Sequence, residues 1–255
     1  GLLAGGSTVI RLGLTPTPVL AFLTREIRAD AGVMITASHN PPEYNGIKLF
    51  NTEGMAYDER QQNQIEEIVE SGRLKRAPWQ KFQRATTVDE SHRYLEAIQK
   101  TVKLERKWRV LLDPGCGVTC QIAPVLLRML GCKVTAINSQ PDGFFPGRSP
   151  EPDAESLQPL SKMVTRLRAD VGIAYDGDGD RMVAVDENGA SVPLDQILAA
   201  YASHVVKTHK GGMVITHVEA SMCIEKMVKP SGGKIVRTKV GDVHIASAIK
   251  QHKAV

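Results

Sequence analysis

Three carboxylates stand at alternate positions in Asp176-Gly177-Asp178-Gly179-Asp180, directly after the apolar run Val171-Gly172-Ile173-Ala174-Tyr175. No other stretch limits the fold as strongly. The apolar run reads as a buried strand bounded by turn residues. Alternate residues of an extended loop point the same way, so a strand ending here releases three aspartates toward one spot. Carboxylates forced together repel unless a cation neutralises them. Hard oxygen ligands select Mg²⁺ or Ca²⁺ rather than zinc. In open α/β sheets, ligands bind at the carboxyl ends of strands. Two other readings stand beside this one. The stretch could be a solvated acidic turn. It also places aspartates at the first, third and fifth positions of a calcium EF-hand loop, with Glu187 at the twelfth. Arg181, however, falls where that loop needs glycine, and strands flank it rather than helices.

A second polar turn lies far away in sequence, Thr36-Ala37-Ser38-His39-Asn40-Pro41. Serine is a weak nucleophile until a base, a metal or a stored covalent group activates it. His39 adjoins Ser38, but neighbouring side chains rarely take nucleophile–base geometry, so an ordinary turn remains an alternative. Asn45-Gly46-Ile47-Lys48 follows, and its short loop can return an ammonium to the serine, where it would counter a phosphate's charge. Arg181, directly after the third aspartate, is suited to forked hydrogen bonds with an anion or simply to offsetting the carboxylates. A serine that carries phosphate and a carboxylate cluster that holds a divalent cation are two halves of a phosphoryl-transfer site. The chain must fold to bring them together.

The 255 residues allow a large core and more than one domain. With aromatics at only 5%, that core should be aliphatic. A net charge of +4, with no dense basic run, argues against nucleic acid as partner and suits small anionic substrates. Cys116, Cys120, Cys132 and Cys223 match no zinc spacing and read as buried or free thiols of a reducing, cytoplasmic setting. No apolar run reaches the roughly 18 residues that span a bilayer, so no membrane association is expected. The first residues do not read as a signal peptide, and the chain begins and stops in mid-pattern, as a partial chain would.

Strands alternate with helices, the pattern of α/β architecture built as repeated three-layer α/β domains with mixed, mostly parallel sheets. Residues 1–92 form a first unit. Strands at Gly32–Thr36 and Ile47–Phe50 precede a helix capped by Asp58, with Ile65, Ile68 and Val69 on one face and Gly72 at its end. Pro78 through Asp89 reads as a linker, followed by a helix over Tyr94, Leu95 and Ile98. Residues 93–192 form a second unit. It runs through a strand at Arg109–Asp113, a helix over Val125–Leu130 and a strand at Lys133–Ile137. A long Pro/Gly-rich loop to Pro152 and a helix with Leu157, Leu160, Met163, Val164 and Leu167 in register lead to the Asp loop. Met182–Val185, Asn188-Gly189 and Ser191–Pro193 read as a hairpin. Residues 193–255 open a third unit: a helix from Asp195, a strand Met213–Thr216, a helix Glu219–Val228, a strand Lys234–Arg237 and a helix Asp242–Lys250.

Two further loops join strand to helix. Asp113-Pro114-Gly115-Cys116-Gly117 reads as a tight turn or an anion cradle. Lys239-Val240-Gly241-Asp242 offers Asp242 as an N-cap and Lys239 as a residue that can reach a ligand. The remaining histidines form no ligand-spaced set.

Taken together, the Ser38 and Asp-loop motifs resemble those of the α-D-phosphohexomutase superfamily, the phosphoglucomutases, phosphomannomutases and phosphoglucosamine mutases. The runs Leu14-Thr15-Pro16-Thr17-Pro18 and Pro141-Asp142-Gly143-Phe144-Phe145-Pro146-Gly147-Arg148-Ser149-Pro150-Glu151-Pro152 are similar to the family's first and second domains. The resemblance covers nearly the whole chain, in order. It implies a Mg²⁺-dependent intramolecular phosphotransferase that interconverts hexose 6-phosphate and hexose 1-phosphate through a phosphoserine and a bisphosphorylated sugar.

By that similarity Ser38 is the phosphoserine, and Asp176, Asp178 and Asp180 hold Mg²⁺ together with a phosphoserine oxygen. Lys48 and His39 flank the phosphate, with Lys48 a candidate for proton transfer, and Arg181 assists at the substrate side. Lys239, with Gly241 and Asp242, matches a substrate-contacting stretch. Gly241-Asp242 is more similar to phosphoglucosamine mutases, since many phosphomannomutases carry Gly-His there; mannose and glucose phosphates remain the alternative substrates. Members of the family have four domains. The chain matches most of the first, all of the second and the opening of the third, so little mutase activity is expected of it alone. A non-catalytic sugar-phosphate-binding piece, a hydrolase using the Asp loop, and a homodimeric assembly stay open.

Overall fold

The computed structural model describes residues 1–254. Its strands fall into three groups that follow one another along the chain. The central group is a four-stranded sheet. Its strands β5 (Arg109–Asp113), β6 (Lys133–Ala136), β7 (Val171–Tyr175) and β8 (Met182–Val185) lie in the order β6-β5-β7-β8. β5 runs parallel to both neighbours, and β8 runs antiparallel to β7, with Tyr175 paired to Met182. The Asp loop is therefore itself the turn of a hairpin. The second hairpin arm expected at Ser191–Pro193 reduces to a single bridge from Ser191 to Val185. β5 is buried on both faces, with α5 (Gln158–Leu167) packed on β5 and β7 and α4 (Ala123–Met129) packed on β6. Leu157, Leu160 and Val164 line one stripe of the α5 segment and bury against Leu111, Ala174 and Val185, while Leu167 at the helix end is exposed.

In the first group, β1 (Ile10–Arg11) pairs in parallel with β4 (Thr86–Thr87), and β2 (Gly32–Ile35) pairs antiparallel with β3 (Ile47–Phe50). β4 corrects the linker expectation for Pro78–Asp89. The stretch returns to the first unit, where Thr86 donates its N–H to Val9 and Val88 donates to Arg11. Two residues held by backbone bonds leave no hydrophobic period to read. Helix α1 (Thr17–Glu26) packs Val19 and Leu23 against Leu95 of α3 (Ser91–Thr101) and against Ile122, just before α4. This shared cluster ties α1 to α3 and α4.

Helix α2 (Glu59–Ser71) starts at Asp58 in a complete capping box with Gln61 and ends at Gly72. Ile65, Ile68 and Val69 do share a face, but that face is exposed. Sequence period locates an apolar stripe; it does not supply the partner that buries it.

The third group holds parallel strands β9 (Gly212–His217) and β10 (Gly233–Thr238) with helices α6 (Leu194–Thr208), α7 (Cys223–Val228) and α8 (Asp242–His252). Its core is Ala199, Val206, Ala220, Ile224 and Val228. α7 begins at Cys223, not at Glu219. Residues 217–220 form a turn instead: Ala220 donates its N–H to His217, and the Arg237 guanidinium donates to the carbonyls of His217, Val218 and Ala220, bracing that turn against β10. The cap of α8 falls on Gly241. Asp242 is the first helical residue, and its carboxylate accepts the N–H of Val243.

All four cysteines are free, and burial pushes the Cys120 thiol up to about 11, so it stays protonated near neutral pH. Among the described residues no helix is long and apolar enough to cross a membrane.

One surface pair gives the fold a pH signature. The Arg109 guanidinium and then its backbone N–H hold the Asp170 carboxyl down to about 2, from an ordinary value of 3.8. A depressed carboxylate contributes stability above its unfolded value, and that stability is lost as pH falls through the folded one. Asp170→Asn should therefore flatten the loss of stability between pH 3.8 and about 2, read by acid titration of the circular dichroism signal. Equal acid slopes in the two proteins would refute it.

Candidate active site

Ser38 sits in a turn near the start of the loop, residues 36–46, that joins β2 to β3. Its φ is +59°, the left-handed region, which costs a non-glycine residue on the order of 1 kcal/mol or more. The turn over-determines this conformation. Thr36 accepts the Ser38 N–H at 2.8 Å, and Asn40 donates from backbone and side chain to Ala37. The result aims Ser38 Oγ across to the second unit, 3.5 Å from Asp176 Oδ2, with His39 Nδ1 at 3.4 Å. The two motifs, 138 residues apart, do meet.

Gly177 permits this approach. A Cβ built there would lie 2.6 Å from the Ser38 carbonyl oxygen, a distance no side chain tolerates. Asp176 and Asp178 are fully buried, and Asp180 is exposed. Asp176 Oδ1 accepts the N–H groups of Gly179 and Arg181, leaving Oδ2 toward Ser38. Asp178 Oδ2 accepts Thr17 Oγ1–H at 2.7 Å and the Lys48 ammonium at 2.7 Å. Lys48 also donates to Asp180 Oδ2 at 2.6 Å. Asp178 Oδ1 is buried and has no hydrogen-bond partner. One ligand atom from each of the three aspartates lies within 4.8 Å of the others. An orphaned buried carboxylate oxygen is costly without a positive partner, and the donors are all oxygen. The cluster therefore fits a hard divalent cation rather than zinc.

The electrostatics follow from this packing. Burial, and then the charges of Asp178 and Asp180, hold the Asp176 carboxyl well above the usual carboxylate range. Burial would raise Asp178 as well, but hydrogen bonds from Lys48 and Thr17 outweigh it, and Asp178 is held low. Burial pushes Lys48 down, and its hydrogen bonds to Asp178 and Asp180 more than reverse that, so the ammonium is raised. A lysine held charged in this way is a poor proton acceptor.

His39 Nε2 lies 3.5 Å from Glu151 Oε2, and Arg181 Nη1 lies 3.2 Å from the same oxygen. Glu151 thus joins the serine turn to the Asp loop. The sequence offered no local signal for it beyond its place in a Pro/Gly-rich loop. Arg148, in the same loop, was also missed as an individual residue. Its guanidinium is buried, pairs with Asp113 at 3.0 Å, and donates to the carbonyls of Asp113, Ser149 and Tyr175. Gly115 leaves the space it fills, since a Cβ there would meet the guanidinium at 2.6 Å. The Asp113–Gly117 loop is thus a turn closed around Arg148.

Lys239, Gly241 and Asp242 stand apart from this centre. Lys239 and Asp242 are exposed at the β10–α8 junction, and among the described residues neither bonds to Ser38 or the Asp loop. The third unit does reach the first: Lys250 on α8 holds both carboxylate oxygens of Glu53, at 2.7 and 2.6 Å.

Comparison with known proteins gives matches along the same order. Residues 1–76, 92–189 and 193–255 match the family models described as phosphoglucomutase/phosphomannomutase alpha/beta/alpha domains I, II and III. A probable phosphoglucosamine mutase of Methanothermobacter thermautotrophicus is 45% identical over 254 residues, covering 100% of the chain and 55% of that protein. One of Pyrococcus abyssi is 46% identical, with 100% of the chain and 56% of that protein covered. Among solved structures, a phosphoglucomutase/phosphomannomutase family protein of Burkholderia thailandensis superposes with a TM-score of 0.91 at 29% identity, over 100% of the chain and 56% of its own. A putative phosphomannomutase of Thermus thermophilus gives 0.81 at 25% identity, over 93% and 55%. The chain spans about half the length of the curated relatives it matches.

Proposed function

The chain belongs to the phosphoglucomutase/phosphomannomutase family, and from that premise we propose that it carries the phosphoserine and metal-loop half of a hexose-phosphate mutase, with glucosamine phosphate as substrate. The observation that carries this reading is Ser38 Oγ, 3.5 Å from a buried aspartate of an all-oxygen cluster. The names of the relatives at 45% and 46% identity favour glucosamine over mannose or glucose. In this reading the units are residues 1–92, 93–192 and 193–255, the resident cation is Mg²⁺, and the setting is cytoplasmic.

Ser38 Oγ carries the phosphoryl group between turnovers. The free hydroxyl of a hexose phosphate attacks phosphorus, the P–Oγ bond breaks, and Oγ leaves with the electron pair. The hydroxyl proton ends on Oγ, relayed by His39, whose Nδ1 already lies 3.4 Å from that oxygen. The bisphosphorylated sugar turns over, and its other phosphate returns to Ser38 by the reverse transfer. Storing the phosphate on serine splits one isomerisation into two easier steps. Asp176, Asp178 and Asp180 would hold a divalent cation, which when bound neutralises charge on the phosphoryl group in flight. Lys48 keeps a fixed positive charge on the Asp loop, bonded to Asp178 and Asp180, and Arg181 offers a forked donor to the substrate. Lys239, Gly241 and Asp242 receive the distal part of the sugar phosphate, a role supported by their place at a strand's carboxyl end.

The test uses the complete protein with hexose 1,6-bisphosphate labelled in its phosphates. Ser38 should take up label, seen by intact mass and peptide mapping, and Ser38→Ala should take up none. Label released as free phosphate without passing through Ser38 would favour a hydrolase. Among glucosamine, mannose and glucose 6-phosphates, glucosamine 6-phosphate should give the largest kcat/KM.

A further inference from the structure

Thr17 takes no part in the chemistry just described, yet it makes the most specific contact with the Asp loop. It opens α1, and its backbone N–H, one of the first-turn donors that a helix leaves unpaired, goes to the Asp178 carbonyl at 2.9 Å. Its hydroxyl donates to Asp178 Oδ2 at 2.7 Å. Thr17 is buried, and two residues on, Val19 begins the cluster with Leu23, Leu95 and Ile122 that anchors the helix. The hydroxyl is therefore held by a packed helix rather than by a loop.

The consequence falls on the other oxygen of the same carboxylate. Oδ2 is saturated by Thr17 and Lys48, whereas Oδ1 is buried with no partner. The two oxygens of a carboxylate are equivalent, but its plane can swing about the terminal bond; two fixed donors on one oxygen hold that plane, and with it the direction of the other oxygen's lone pairs. Outer donors of this kind orient metal-binding carboxylates and commonly set their affinity.

We propose that Thr17 is a positioning residue of the metal loop, whose hydroxyl locks Asp178 so that the buried Oδ1 is presented to a divalent cation. The inference rests on the reading above that the Asp loop holds such a cation. It also gives α1 a role: the first unit supplies the serine and, through Thr17, the alignment of a cation ligand in the second unit.

The experiment titrates Mn²⁺ into the 255-residue chain by calorimetry, with circular dichroism in chelator as the folding check. Thr17→Val keeps the shape and removes the hydroxyl, Thr17→Ser keeps the hydroxyl, and Thr17→Ala replaces the valine variant should that one fail to fold. Thr17→Val should bind Mn²⁺ about 10- to 100-fold more weakly than the unsubstituted chain, and Thr17→Ser within about threefold of it. Equal affinity in the valine variant and the unsubstituted chain overturns the positioning role and leaves the cation reading intact. Equal weakening in the valine and serine variants also overturns it, since packing rather than the hydroxyl would then matter. An unsubstituted chain that binds no Mn²⁺ overturns the cation reading and the inference with it.

Discussion

The 255-residue chain with Asp178 replaced by alanine will lose divalent-cation binding, by more than about 100-fold in affinity, since substituting even an outer partner of a ligand costs 10- to 100-fold. Asp178 is the most committed of the three carboxylates: buried, held by Thr17 and Lys48 on one oxygen, and orphaned on the other. Its removal deletes one of three anionic ligands and also frees the Lys48 ammonium from one of its two acceptors. Asp180 is exposed, and its loss should cost less. Titration with Mg²⁺ or Mn²⁺ measures both. Retention of cation affinity by Asp178→Ala within a few-fold would remove the Asp loop from consideration as the metal centre.

Arg148→Met will produce the largest loss of stability that the second unit offers, about 3–5 kcal/mol, because it strands a buried charge. The Arg148 and Asp113 side chains are 3% and 1% exposed, so water cannot take over when one partner goes. The guanidinium also satisfies the carbonyls of Asp113, Ser149 and Tyr175, at the ends of β5 and β7 and in the intervening loop. Methionine fills similar volume and offers no donor, so the penalty reads polar satisfaction rather than a cavity. Hydrogen exchange of the Leu111 and Leu112 amides, in the fully buried middle of β5, measures it directly. Adding Asp113→Asn to Arg148→Met should recover part of the loss, because the stranded charge is then absent. Unchanged protection in the single variant would show that the pair is dispensable. Because Glu151 lies in the same loop, the single variant should also loosen the His39–Glu151–Arg181 bridge.

The α/β class and most element positions were legible because helices and strands here carry clear hydrophobic periods. β5 and β7 read as apolar runs, and the α5 stripe of Leu157, Leu160 and Val164 matches its core contacts. The failures share one physical cause, structure decided by groups remote in sequence. β4 exists because β1 offers it a pairing edge. The turn ahead of α7 is braced by Arg237 from β10. The α2 stripe was read as a shared face, and that face lies exposed, since period carries no information about a partner.

The candidate centre divides in the same way. Residue chemistry singled out the three aspartates as hard oxygen ligands and left the serine turn open between a nucleophile and an ordinary turn; the family resemblance then gave Ser38, His39 and Lys48 their roles. Their mutual placement was a demand on the fold, and only packing between units met it. The α1–α3 cluster brings Thr17 onto Asp178, and Gly177 lets the serine turn close on the loop. The loop between β6 and α5 sets Glu151 between His39 and Arg181. Local sequence determines which atoms are available for chemistry. How the Asp178 carboxylate is oriented, and what holds it there, depends on long-range contacts between segments that only the folded chain brings within a few ångströms.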